Sequence, residues 1–121
     1  MDQSILTNIK KLLGIPEEYE HFDADLIMHI NGVLMTLTQI GVGDPNGFMI
    51  SDKSATWKDF IGAEENHALV ASIYSYVYMK VKLMFDPPQS SFAIESLNKL
   101  IAEYEWRINV NVDNPTQSPT L

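Results

Sequence analysis

The strongest constraint on the fold is a helical pattern of apolar residues between positions 22 and 40. Apolar side chains recur there at steps of three and four residues, the spacing that places them on one face of an α-helix. They are Phe22, Leu26, Ile30, Val33, Leu37 and Ile40. Asp23 and Asp25 fall in the first turn, where acidic side chains stabilise the positive end of the helix dipole. The pattern predicts a long helix that buries one face.

Gly32 lies inside this predicted helix. Glycine in a helix interior costs about 1 kcal/mol relative to alanine, so its presence calls for a physical reason. Because glycine has no side chain, it lets another backbone approach closely. The sequence therefore predicts that Gly32 packs against a neighbouring helix.

Residues 4–13 carry a second helical apolar pattern, formed by Ile5, Ile9, Leu12 and Leu13. Ser4 or Asp2 can cap the start of this helix, and Gly14 follows it in the position of a C-cap. Pro16 then disfavours a helical conformation at the residue before it. The first helix is therefore predicted over about residues 4–13.

Two more helices are predicted in the second half of the chain. Thr56 is a candidate N-cap for a short helical turn that reaches Phe60. Ser90 or Ser91 can cap the last helix. Its predicted apolar stripe is Ile94, Leu97, Leu100, Ile101, Tyr104 and Ile108.

Residues 64–85 fit two secondary structures. From residue 73 onward, apolar residues alternate with tyrosines and lysines, which favours a strand. However, the run has no turn signal and no evident partner strand, and it continues directly from a helix-like start at Glu64. A helix buried on most sides also fits, and a helix is what we predict.

These patterns predict an all-α fold, a small bundle of four main helices. A loop over residues 41–56 contains a turn signal at 44–47 and a short extended segment at 48–50. The helical domain is assigned to residues 1–110. Residues 111–121 are polar and contain two prolines, which predicts a flexible C-terminal tail.

Composition narrows the classes of function. The net charge of −8 argues against sequence-independent binding to nucleic acid, because phosphate backbones need a basic surface. The absence of cysteine excludes disulfides and thiolate zinc sites. The N-terminal residues lack the pattern of a secretion signal. The most apolar stretch ends at Lys80, which predicts no membrane span, so cytosolic synthesis is expected.

His21, Asp25 and His29 are spaced four residues apart, which places them on one face of a continuous helix. Such a face can hold a metal ion, and this defines an alternative function, a small helical metal- or ligand-binding protein. A solvated helix face with His–Asp pairs explains the same spacing. Glu64 and His67 match half of a di-iron carboxylate motif, which needs a second pair and two further glutamates.

No sequence motif of an enzyme is present. The chain has no glycine-rich phosphate-binding loop and no nucleophile elbow. We therefore expect no catalytic residues, no metal ligands and no cofactor. The candidate interaction residues are instead exposed-loop apolar residues and aromatics, which are enriched at protein interfaces. They are Phe48, Met49, Ile50, Trp57, Tyr74 and Tyr78.

Four segments, in this order, resemble the small head–tail connector proteins of tailed bacteriophages. They are ILTNIKKLLGIPEEYEHFDADLIMHINGVLMTLTQIGVG at 5–43, WKDF at 57–60, YVYMKVKLMFDPP at 76–88 and AEYEWRINV at 102–110. The resemblance covers most of residues 4–110. It lies in the order of the segments and includes no catalytic signature.

The resemblance implies an all-α virion protein without enzymatic activity or cofactor. It implies self-assembly into a ring, commonly of about twelve copies, beneath the phage portal protein. The other partner would be the next connector or a tail-completion protein, and no membrane would be involved. DNA would pass through the lumen without specific binding. Assembly would take place in the cytoplasm of the bacterial host.

Overall fold

A computed structural model of the protein describes residues 3–113. Five helices follow one another along the chain. They are α1 (Ile5–Leu13), α2 (Asp23–Ile40), α3 (Trp57–Ile61), α4 (His67–Phe85) and α5 (Ser91–Asp113). Four of them are long, and α3 is a short turn of five residues. The all-α prediction is confirmed, and the described residues contain no strand.

The helix ends are fixed by the caps that the sequence indicates. Ser4 accepts a hydrogen bond from the backbone of Thr7, and Gly14 closes α1 with a φ of +83°. Thr56 and Asp59 form a capping box at the start of α3. These side chains satisfy backbone groups that a helix end otherwise leaves unpaired.

α4 is the central helix and packs against α1, α2 and α5. Its Ile73, Tyr76 and Val77 are completely buried. The contact between Phe22 and Phe85 joins the start of α2 to the end of α4, so these helices run antiparallel. Enclosure on several sides explains the apolar character all around α4. The prediction of a helix in residues 73–85 is confirmed.

By length and composition alone α4 would also suit a membrane span. Its residues pack against three other helices of the domain. That is the arrangement of a core helix.

Lys10 joins α1 to α2 from a position inside the protein. Its side chain is almost fully buried, and its ammonium nitrogen lies 2.8 Å from the Asp23 carboxylate. The same nitrogen donates to the carbonyl oxygens of Glu17 (2.9 Å) and Tyr19 (2.7 Å). Two carbonyl acceptors and an adjacent carboxylate of opposite charge therefore compensate the buried ammonium, while the Asp23 Oδ1 atom is buried and has the ion pair but no hydrogen bond.

The loop between α2 and α3 is held by a side chain and not by a strand partner. Asn31 on α2 donates from its amide to the carbonyl of Ile50 (3.0 Å) and accepts from the Ile50 N–H (2.8 Å). Ile50, the last residue of the predicted extended segment at 48–50, therefore satisfies its backbone on α2. Among the described residues the only bridge is isolated and joins Ser4 to Thr56.

The structure corrects three expectations. The α5 helix continues to Asp113, so residues 111–113, which the sequence assigned to the tail, are helical. The rest of that tail lies outside the described residues. Leu100, predicted for the buried stripe of α5, is 45% exposed, because the buried face is centred on Ile101 and Ile108. The third correction concerns Gly32, which is exposed and has no atom of the subunit near the place a Cβ would occupy.

Candidate interaction surfaces

The loop residues predicted to face a partner divide between the core and the solvent. Ile50 is buried, and the half-buried ring of Phe48 packs on Phe60 with the ring centroids 5.4 Å apart. Met49 between them is 69% exposed. Phe48 and Ile50 therefore fold back on their own subunit, which leaves Met49 as the accessible residue of the three.

The fold brings Trp57 and Tyr74 together in one cluster with Asn8. In the sequence, these two residues follow Asn8 by 49 and 66 positions. The ring centroids of Trp57 and Tyr74 lie 4.5 Å apart, and Trp57 Nε1 donates to the Asn8 side chain at 3.1 Å. Trp57 is buried and Tyr74 is half-buried. Trp57 therefore fixes α3 onto α1 and α4, and its indole is not available as a surface anchor.

A groove lies beside this aromatic pair, between α3 and the first half of α4. Its volume is about 580 Å³. Apolar side chains of Ile61, Val70 and Ala71 line it together with Tyr74, and its rim carries charged and polar groups of Lys58, Glu64, Glu65 and His67. Apolar walls with a charged rim are suited to receive side chains from another protein segment.

Tyr78 lies one turn beyond Tyr74 on the same side of α4. It is half-buried against the core and is not among the residues that line the groove. The six predicted interaction residues therefore occupy three places: the α2–α3 loop, the groove with its floor, and the flank of α4.

Sequence reasoning missed an exposed surface on α2. We define the α2 surface by Met28, Gly32 and Met35. Met28 is 63% exposed and Met35 is 56% exposed. The two hydrogen bonds between Asn31 and Ile50 bring the loop alongside the same stretch of helix. The available signal was that two methionines fall outside the apolar stripe of α2.

A second missed surface lies on the outer side of α5. We define the α5 surface by Phe92, Trp106 and Val110. Phe92 is 79% exposed and Trp106 is 65% exposed. Exposed apolar side chains that share one helix face mark a candidate interaction site. The sequence signal was the position of Phe92 and Trp106 two heptads apart and off the buried stripe.

The residues proposed as metal ligands do not assemble. His21 precedes α2, and its ring packs on Phe22 with the centroids 4.9 Å apart. Glu64 accepts a hydrogen bond from the backbone of Asn66 before α4 begins. In the described part of the chain no group of three histidine or carboxylate side chains has a metal-binding arrangement.

One buried polar pair joins α4 to α5. The Tyr76 hydroxyl donates to the carboxylate of Glu105 at 3.4 Å. Burial raises the pKa of Tyr76 to about 12, and the nearby charge of Glu105 and the hydrogen bond to it act in the same direction. The phenol therefore stays protonated through neutral pH, and the pair holds two helices in register.

The fold and its surfaces define a class: a small helical protein whose exposed features are apolar and aromatic contact surfaces. The family follows from comparison with known proteins. Residues 5–115 match the family model described as phage connector protein, and the chain belongs to that family. Neither the curated proteins nor the solved structures give a match. Membership confirms the resemblance seen in the sequence and makes the protein a structural connector of a phage virion.

Proposed function

We propose that this connector assembles into an oligomeric ring that joins the phage portal to the next connector or to the tail. The observation that carries the proposal is the family match over residues 5–115 of a 121-residue chain. A ring repeats one interface around a closed circle, so a modest contact between two copies is multiplied by the number of copies.

The exposed surfaces of the subunit support a role based on contacts. Met28 and Met35 on α2, and Phe92 and Trp106 on α5, expose apolar area that the subunit does not cover. Burial of such area is the main favourable term in association. The protein is expected to act without catalysis and without a cofactor.

Met49 and the groove at Tyr74 are the proposed contacts with portal or with the next connector. Met49 stands on a loop outside the helical bundle, and the groove is open to solvent between α3 and α4. DNA is proposed to pass through the ring lumen without specific binding, since a net charge of −8 repels phosphate.

The ring is tested by light scattering and negative-stain electron microscopy of the purified protein over a wide concentration range, with and without portal protein. Closed rings are expected, alone at high concentration or on portal. Monomers throughout, with portal present, would contradict the proposal.

The partner contact is tested with Met49→Ser. Because Met49 is exposed, the variant should keep the helicity and melting temperature of the parent while its affinity for portal or for the ring falls. Lys53→Ser is the matched control, since Lys53 is an exposed residue of the same loop. Phe48 and Ile50 do not suit this test, because Ile50 is part of the core.

The C-terminal segment has a separate test. Removing residues 114–121 leaves α5 intact and should weaken assembly on portal without changing the stability of the monomer. If this truncation and Met49→Ser both assemble on portal with unaltered affinity, the contact with portal lies elsewhere, on the helices.

A further inference from the structure

Nothing within the subunit requires glycine at position 32. It lies in the interior of α2, where alanine would favour the helix more strongly than glycine does. Its backbone conformation is not one that requires glycine, and a Cβ built there would meet nothing within 4 Å. A glycine that lowers helix propensity without serving the subunit points to a contact with another molecule.

The surroundings of Gly32 have the shape of a notch. Met28 and Met35 lie one turn to either side of it, and both side chains project into solvent. Methionine is flexible and makes favourable sulfur contacts with aromatic rings. A notch with a bare backbone floor and two thioether walls fits a large aromatic side chain.

Trp106 is such a side chain, and it stands exposed on α5 of the same protein. Within one copy it cannot reach Gly32, because α4 packs between α2 and α5 and both surfaces face outward. The two helices approach each other near their C-terminal ends, where Val112 lies against Gly41. Each copy therefore presents the notch and the tryptophan as two separate surfaces.

The charges along the two helices fit the same pairing. Asp25 lies seven residues before Gly32, and Lys99 lies seven residues before Trp106. Both side chains are exposed, and neither forms an ion pair within the described part of its own subunit. When α2 and α5 run parallel with Trp106 over Gly32, Asp25 comes opposite Lys99.

The same register matches side-chain sizes. Four residues before the glycine and the tryptophan, Met28 comes opposite the small Ala102. Towards the other end, Met35 comes opposite Asn109, and Val110 is the next residue of α5. Large residues therefore meet small or flexible ones along the contact, as interdigitated helices require.

In a ring, α2 of one copy and α5 of the neighbouring copy run nearly parallel. Phe22 contacts Phe85, and Asn66 donates to Asn111, so α2 and α5 both run antiparallel to α4 and parallel to each other. Neighbours in a ring of many copies are related by a small rotation, which nearly preserves helix direction. The α2 of one copy and the α5 of the next are then close to parallel.

We infer that the α2 surface binds the α5 surface of a second copy, with Trp106 seated over Gly32 between Met28 and Met35. The inference rests on the proposed function and assigns the ring its subunit contact. Two different surfaces meet, so the contact is heterologous, the type that closes into rings.

The first test uses Gly32→Ala and Trp106→Ala. Gly32→Ala should raise the melting temperature of the monomer and weaken self-association about tenfold or more, because a Cβ then occupies the floor of the notch. Trp106→Ala should weaken association to a similar extent. Asn98→Ala is the control: it also improves helix propensity at an exposed position, outside the α5 surface, and should leave association unchanged.

The second test uses introduced cysteines, which are unique because the chain has none. Asp25→Cys and Lys99→Cys proteins, mixed and oxidised, should form a disulfide between the two variants. The double variant should give a ladder of linked subunits. Disulfides only between identical variants, with no disulfide between the Asp25→Cys and Lys99→Cys proteins in the mixture, would show a symmetric dimer and overturn the assignment.

The outcomes separate this inference from the proposed function. Rings that form normally with Gly32→Ala and Trp106→Ala would overturn the subunit contact and leave the ring standing. Variants that self-assemble normally but fail to bind portal would assign the notch to portal instead. Absence of rings for the parent protein, alone and with portal, would overturn both proposals.

Discussion

The two sides of α2 have opposite characters. On one side Leu26, Ile30, Val33 and Leu37 are fully buried against the rest of the bundle. On the other side Met28 and Met35 lie in solvent with Gly32 between them. One helix therefore contributes a core face to its subunit and an uncovered apolar face to its surroundings.

The choice of residues differs between the two sides. The buried side uses branched aliphatic side chains, which have few rotamers and fill a core of fixed shape. The exposed side uses methionine, whose flexible side chain can adapt its shape to a partner surface. A helix with an apolar residue on each side of its axis can thus be folded by one face and assembled by the other.

The largest expected effect is on the buried side. Leu37→Ala should lower the free energy of unfolding by about 2–5 kcal/mol, because the side chain has no exposure and leaves a cavity. Urea denaturation of the monomer measures this. Met35→Ala is the matched control on the exposed side and should change stability by less than about 0.5 kcal/mol. Equal losses in the two variants would break the contrast.

The buried ammonium group of Lys10 on α1 pairs with Asp23 at the start of α2. Lys10→Met should destabilise the monomer by about 3 kcal/mol, because the Asp23 carboxylate loses its counter-ion and two carbonyls lose their donor in a poorly solvated place. Thermal and urea unfolding measure the loss. Lys11→Met is the control, since Lys11 is the neighbouring lysine and is exposed. A small loss at Lys10 would mean that water replaces the ammonium at little cost.

Gly32→Ala tests the exposed side of α2. With open space at the Cβ position, the monomer should gain about 1 kcal/mol of stability from helix propensity. The same variant should assemble less well, so stability and assembly would change in opposite directions. A monomer of lower stability would show that the position is crowded within the subunit.

The smallest effect at neutral pH concerns the pair that joins α4 to α5. The folded-state pKa of Tyr76 is raised from about 10 to about 12, so its protonated form contributes stability that is complete below pH 10. That contribution declines as pH rises from 10 to 12. Between pH 10 and 12, the free energy of unfolding of Tyr76→Phe should therefore fall less steeply with pH than that of the parent. Urea midpoints at pH 8, 10 and 11 measure the difference, and parallel curves would contradict it.

Local sequence signals predicted most of the helices. The stripe of α2 and the caps at Ser4, Gly14 and Thr56 are short-range features, and the structure places each where the pattern indicated. The α4 segment was harder, because alternating tyrosines imitate a strand. Its burial among three helices removes the need for a single apolar face.

The candidate surfaces were predicted less well. Aromatic residues alone pointed to Trp57, whose indole is instead used to fix α3 to α1. The pattern of α5 placed Leu100 in the core, whereas the helix leaves it 45% exposed. A shift of one residue on a helix turns a side chain by 100°, and only packing against α4 decides that rotation.

By itself, the sequence determined the helical class, the helix ends and the membership in a connector family, because these depend on residue spacing, on local caps and on the order of segments. The tertiary structure decided which apolar residues are left uncovered. Lys10 reads as a surface lysine until the carbonyls of residues 17 and 19 are seen to enclose it. Gly32 reads as a packing glycine of the core until its open face is seen. Exposure depends on contacts between segments far apart in the chain, and no local pattern contains those contacts.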